Sequence, residues 1–246
     1  MIRMSLEVPS AYLQWWSPFC DMDFVLAHKV LEDKTYAGYF ASRPTSRELL
    51  MDNSLHELGH PLPIADLLEA ARRCKADTII APDKLGEPEW NEKSFQETLT
   101  TIGGEFSVGV SMAGRSSAER KNYLRNVSSA SMLLLPYRED RLMWYHENKA
   151  TILRQWKRIH LLGVNELSEL RSFVEIARET PLIDWSVDTG KCVKHGVELR
   201  RIDDNAGTLR GAKLASSDLL NLDNLTEAQV RAVEQNIRIL KSVCTA

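Results

Sequence analysis

Residues 77–112 read DTIIAPDKLGEPEWNEKSFQETLTTIGGEFSVGVSM. The stretch opens on a short apolar run, 77–82, and closes on a second, 106–112. Between them, 90–102 repeats apolar residues at helical spacing: Trp90, Phe95, Leu99 and Ile102. Short apolar runs bounded by turn residues read as buried strands, and an amphipathic segment between two of them reads as a crossover helix. A strand, a helix and a strand in that order make parallel neighbours.

The same rhythm extends outward in both directions. Apolar runs at 11–16, 36–40, 48–51, 131–136, 158–163 and 182–188 complete a set of eight expected strands. Helical patterns are expected at 24–33, 64–75, 116–130, 143–156 and 165–179. A final helix over about 225–243 carries a capping box, Thr226 with Gln229. Asn165 followed by Ser168 is a weaker N-terminal signal. Eight strand–helix units suggest one closed (β/α)8 TIM barrel spanning 1–246; an open doubly wound sheet is the alternative.

Composition fits a globular enzyme-sized chain. It has 246 residues, 43% apolar and 26% charged, with a net charge of −3. That balance neither points to nucleic acid nor excludes it, because a local basic patch suffices. The four cysteines, Cys20, Cys74, Cys192 and Cys244, are scattered, so reduced thiols and a cytoplasmic location are expected. No apolar run reaches the ~20 residues of a membrane span, and the first residues lack the apolar core of a secretion signal.

A barrel places its chemistry where strands end. Asp52-Asn53, Asp83, Ser111-Met112, Tyr137-Arg138, Gly163 and Asp188 follow expected strands. An Asp after a strand often caps a helix or solvates a loop. Asp52, Asp83 and Asp188 sharing one rim suggest a division of labour among nucleophile, acid/base and ligand anchor.

One motif competes with this reading. HELGH, 56–60, fits HExxH, in which two His on one helical face bind zinc. Gly59, Pro61 and Pro63 argue against a helix there. No HxxGxxH extension follows, and Glu69, Glu87 and Glu89 are poor third ligands. A zinc metalloprotease is therefore the least favoured function, and no metal is expected.

MDNSLHELG, TIIAPDKLGE, GVSMAG, RIHLLGV and WSVDTG occur in that order. Together they resemble the tRNA-guanine transglycosylase superfamily, over roughly residues 36–195. The closer likeness is to its DNA branch, the 7-deazapurine DNA-modification transglycosylases of phages and bacterial genomic islands. The resemblance implies a (β/α)8 barrel that exchanges a guanine in DNA, or less readily in tRNA, for a 7-deazaguanine such as preQ0. By motif, Asp188 would be the nucleophile, forming a covalent glycosyl-Asp intermediate. Asp52 would be the general acid/base. Asp83 would bind the base, with Asn53 beside it, and Gly163 would let the strand end approach the substrate. Glu57 would match the acid of the first motif, as a loop residue.

This chain departs from the tRNA enzymes in two respects. It lacks their Cys-rich zinc site, and Ala113 stands where a Gln would contact the base. No cofactor is implied. A homodimer or partners in a modification complex are left open.

Other residues complete the expected site. Met112 and Trp185 are candidates to sandwich the purine. Arg43, Arg47 and Arg138 are candidates for nucleic-acid phosphates. His160, in mid-strand, is read as a buried, satisfied histidine. The rival functions are an N-glycosidic hydrolase on the same scaffold and a non-catalytic base- or nucleic-acid-binding subunit.

Overall fold

The computed structural model describes residues 1–203 and 216–246. Eight parallel strands form one sheet: β1 (Arg3–Met4), β2 (Asp23–Leu26), β3 (Leu49–Asp52), β4 (Thr78–Ile80), β5 (Ser107–Ser111), β6 (Met132–Pro136), β7 (Arg158–Leu162) and β8 (Asp184–Val187). Their spatial order is β1-β8-β7-β6-β5-β4-β3-β2, so each strand after β1 neighbours its successor and β1 joins β8. Twelve α-helical segments accompany them among the described residues: α1 (Leu13–Trp16), α2 (Ala27–Glu32), α3 (Lys34–Ala41), α4 (Leu55–Leu58), α5 (Ile64–Cys74), α6 (Pro88–Ile102), α7 (Ser117–Asn126), α8 (Arg141–Gln155), α9 (Leu167–Glu179), α10 (Lys191–Val197), α11 (Ser216–Leu219) and α12 (Glu227–Thr245). This is a single-domain (β/α)8 barrel.

The seam between β1 and β2 is bridged differently from the other strand pairs. Asp21 N–H donates to the Met4 carbonyl at 2.8 Å, and Met4 N–H returns a bond to Asp21 Oδ2 at 3.0 Å. Phe24 N–H donates to Ser5 Oγ at 2.8 Å. Two side chains thus satisfy backbone donors that a ladder would otherwise pair.

Side chains alternate across each strand. One set, including Ile2, Met4, Val25, Leu49, Ile79, Leu133, Ile159 and Trp185, packs outward in the large core against the helices. The other set fills the barrel. Phe24, Leu26, Leu50, Ile80, Met132 and Leu134 form its apolar middle. Below them lies an ionic floor. Arg3 makes two bonds to Asp184, at 2.8 and 2.5 Å, and pairs with Glu48 at 2.8 Å. Arg158 pairs with Glu48 and donates to Thr78 Oγ1.

The expected strands from 48–51 onward match β3 to β8, but the first two do not. Residues 11–16 are a 3-10 turn running into α1, and 36–40 lie inside α3. Asp33 caps α3 by accepting from Thr35 and Tyr36 N–H, and the buried pair Tyr36 and Phe40 is spaced for a helix. The true first strands are β1 and β2, and β2 takes the start of the helix expected at 24–33. The helix expected at 116–130 stops at Asn126, and α9 starts after Glu166 rather than at Asn165. The Thr226–Gln229 capping box is present. No helix among the described residues is long and apolar enough to cross a membrane.

Candidate active site

Asp188 follows β8 at the next inward position. It is buried, and its Oδ1 accepts two hydrogen bonds. One is from Gly163 N–H and the other from His160 Nε2, each at 3.0 Å. An ionised carboxylate can only accept, so Nε2 carries the hydrogen. Nδ1 of His160 lies 2.8 Å from Ser186 Oγ and, when Nε2 carries the hydrogen of a neutral ring, accepts a hydrogen bond from that hydroxyl. The imidazole is further fixed by stacking on Phe24, with centroids 5.5 Å apart and planes at 2°. Oδ2 of Asp188 makes no hydrogen bond to another described residue.

Gly163 has φ +65°, in the left-handed region. A Cβ there would meet nothing closer than Tyr137 Cβ at 3.9 Å. The glycine is required by backbone conformation, which aims its N–H at Asp188. Beneath it, buried Arg141 holds the ends of β6 and β7. It donates to the Leu135, Leu162 and Gly163 carbonyls at 3.0, 3.0 and 3.1 Å, and pairs with Glu169 at 2.7 Å.

Across the mouth, Asp52 ends β3. Its Oδ2 accepts from Ser54 N–H at 2.7 Å, a contact made with Ser54 in the left-handed region at φ +62°. Ser54 Oγ accepts in turn from His28 N–H. Burial pushes the Asp52 carboxyl well above the usual range, and the nearby Glu57, Asp83 and Asp188 push it further. Asn53 bridges to the next loop. Its Nδ2 donates to the Ala81 carbonyl at 3.0 Å and to Asp83 Oδ1 at 2.7 Å. Burial raises Asp83 as well, while its bonds with Asn53 and Ser111 hold it down.

HELGH contributes one carboxyl to this mouth. α4 is a single turn, closed by Gly59 at φ +74°. His56 lies on that turn and His60 beyond its end, so the two rings do not share a helical face. Glu57 turns inward, and its buried Oε2 has no hydrogen-bond partner. Burial raises its carboxyl and His56 lowers it, with Asp188 among the charges it feels. Among the described residues, no group of three or more His, Cys, Asp and Glu is arranged to hold a metal ion.

Glu7 joins the mouth from the segment that follows β1 and was not among the expected site residues. Its N–H donates to the Thr189 carbonyl at 3.3 Å, continuing the β1–β8 register beyond Asp188. Burial, then Asp188 and Glu57, raise its carboxyl to about 8, opposed by Lys194 and Lys191. His160 was expected to be buried and satisfied, which it is; its partner is the candidate nucleophile.

Four expected contacts fall elsewhere. Trp185 points outward, packed against Tyr145 and Phe173, with its Nε1 donating to Thr180 Oγ1. Met112 lies in the same outer core. Neither side chain faces the mouth, so they do not form the expected purine sandwich. Arg43 and Arg47 lie at the opposite end of the barrel, because 36–40 is a helix. Arg43 donates to the Cys74 and Lys75 carbonyls and pairs with Asp77. Arg47 binds Asp23, the first residue of β2, at 2.8 and 2.6 Å. Arg138 does follow β6 at the mouth, where it pairs with Asp140 at 2.9 Å.

No family model matches the chain, and no curated protein matches it. Among solved structures it is similar to phosphoribosylanthranilate isomerase from Thermotoga maritima, in a form described as mutually generated monomers of the dimeric enzyme. Identity is 10%, 95% of this chain and 99% of that chain are covered, and the TM-score is 0.50. At that identity the likeness shows the fold alone. The (β/α)8 barrel read from the strand rhythm is the architecture this chain shares with an enzyme.

Proposed function

We propose that the chain is a transglycosylase that exchanges a guanine in a nucleic acid for a 7-deazaguanine, with DNA the first polymer and tRNA the second. One observation carries the reading. A single mouth holds Asp188, with two donors on one oxygen, opposite Asp52, whose carboxyl burial and neighbouring acids push well above the usual range. Glycosidic chemistry needs that division of labour.

In the first half, Asp188 Oδ2 attacks the anomeric carbon. A C–O bond forms and the C–N bond breaks. The electron pair goes to the guanine ring nitrogen, and the Asp52 proton follows it. In the second half, the ring nitrogen of the entering base attacks the same carbon. The ester C–O bond breaks, its pair returns to Asp188, and the ring proton passes to Asp52. Asp83, braced by Asn53, is the acceptor for the N–H donors of a purine edge. The target base must leave its stack to reach the mouth, and Arg138 at the rim is a candidate for a flanking phosphate.

The test is an exchange assay. The protein is mixed with DNA, or separately with tRNA, and labelled preQ0, then the polymer is digested and its nucleosides weighed. Incorporation that is lost in Asp188→Ala supports the reading and names the polymer. Guanine release without incorporation would mean a hydrolase, and neither would mean a binding subunit.

A further inference from the structure

Glu7 has no role in the two steps just written, yet the barrel places it beside the nucleophile. Consecutive bonds from Ser5 N–H to the Val187 carbonyl and from Glu7 N–H to the Thr189 carbonyl align β1 with β8. Ser5 and Glu7 are the inward positions just past β1, and Asp188 is the inward position just past β8; in the continued register Ser5 lies level with Asp188 and Glu7 level with Gly190, diagonal to it. The Glu7 carboxyl makes no hydrogen bond to another described residue. It rests instead against Gly190, where a Cβ would fall 2.8 Å from Glu7 Oε2. Only glycine at 190 leaves the carboxyl that space.

We propose that Glu7 is a further positioning residue of the reaction: from the strand beside Asp188, it controls how readily the Asp188 oxygen leaves the sugar. This rests on the base-exchange reading. The physical reason is like-charge repulsion. While Glu7 is neutral, expelling Asp188 from the ester creates one carboxylate beside a neutral acid. Once Glu7 ionises, the same step recreates two neighbouring carboxylates. Ionised Glu7 therefore favours forming the ester in the first half and slows its breakdown in the second. Glu7 changes state near 8, so the switch falls just above neutrality. The charged groups that face it are Asp188, Glu57, Lys191 and Lys194; Glu57 also titrates above its ordinary range and serves as the control.

The experiment quenches the reacting full chain at pH 7 and pH 9 and measures the fraction held as covalent glycosyl-enzyme, by intact mass. The probes are a guanine-containing oligonucleotide and preQ0. In the wild type, the ratio of ester to free protein should rise about fivefold between the two pH values, the effect of one unit of coupling on a group that titrates near 8. Glu7→Gln, of the same shape and neutral throughout, should hold that ratio within about twofold. Gly190→Ala, which displaces the carboxyl without changing any titrating group, should also blunt the rise. Glu57→Gln should keep it. A rise that persists in Glu7→Gln, or that vanishes in Glu57→Gln instead, overturns the role of Glu7 and leaves base exchange standing. A wild type that forms no ester and releases no guanine overturns both.

Discussion

His160 Nε2 and Gly163 N–H converge on the same oxygen of Asp188, each at 3.0 Å. The first is a side chain from the middle of β7 and the second a backbone amide just past its end. One strand therefore orients the carboxyl group that follows the next strand, and the other oxygen makes no hydrogen bond to another described residue.

Asp188→Asn tests that arrangement with little change in shape. The amide is a poor nucleophile, and its NH2 or carbonyl must meet two donors. Exchange should fall by about a thousandfold or more. The single-turnover rate of guanine release is the measurement, and activity within tenfold of wild type would remove Asp188 from the role.

Gly163→Ala forces an L-residue to keep φ +65°. Left-handed backbone costs an alanine about 1–2 kcal/mol. The melting temperature should drop accordingly, and kcat should fall further than KM rises, because the misplaced amide disturbs the nucleophile rather than binding. A variant with unchanged stability would mean that this turn relaxes freely.

Arg141→Met should be among the most damaging substitutions in the chain. It removes the donors of three carbonyls and leaves the half-buried Glu169 without its partner. Breaking a buried pair from one side costs about 3–5 kcal/mol. Denaturant melts would check this, and a loss below about 1 kcal/mol would contradict the network.

Glu7 makes stability depend on pH in a defined direction. Its carboxyl titrates ordinarily at 4.5 and in the folded chain near 8. Between those values the folded chain holds a proton that the unfolded chain has released. The stability this group contributes is thus complete below 4.5 and is lost as pH climbs through 8, at up to about 1.4 kcal/mol per pH unit. Glu7→Gln should flatten that fall, so its advantage over wild type grows from pH 5 to pH 8. Parallel melting curves for the two proteins at both pH values would show that Glu7 ionises normally.

For the HELGH segment, His60→Ala should leave both exchange and stability within about 0.5 kcal/mol of wild type, as for an exposed loop residue. Treatment with a chelator should leave the rate unchanged. A chelator-sensitive rate that zinc restores would revive the metal reading.

The later strands were legible because each is a short apolar run with turn residues on both sides, and because the strand-end Asp is visible wherever the strand is. The first two strands hid for different reasons. Residues 2–8, Ile-Arg-Met-Ser-Leu-Glu-Val, alternate strictly between apolar and polar. Ile2, Met4, Leu6 and Val8 are all buried outward, while Arg3, Ser5 and Glu7 face in. That period of two is the signal for β1 and for Glu7, but the apolar run at 11–16 carries the stronger local strand pattern. β2 was masked because its Phe-Val-Leu flows into α2 without a break. The misplaced second strand then carried Arg43 and Arg47 to the wrong end of the barrel. Trp185 and Met112 failed on parity. Asp188 and Trp185 are three residues apart and must point to opposite faces. Left-handed Ser54 and the bond from His160 to Asp188 depend on tertiary contacts that no local pattern announces.

The short strand β1 is held by parts of the chain distant from it in sequence. Beyond its pairing with β8, Ile2 N–H donates to the Cys244 carbonyl, and Asp21 at the seam binds Lys241. β1 therefore takes its place only once residues far along the sequence have taken theirs. The β1–β2 seam is closed by nearby residues, but the β1–β8 ladder and the ties to α12 join segments far apart in sequence, and bringing them together slows folding through its entropy cost. Glu7 and Asp188 become neighbours only at that closing step.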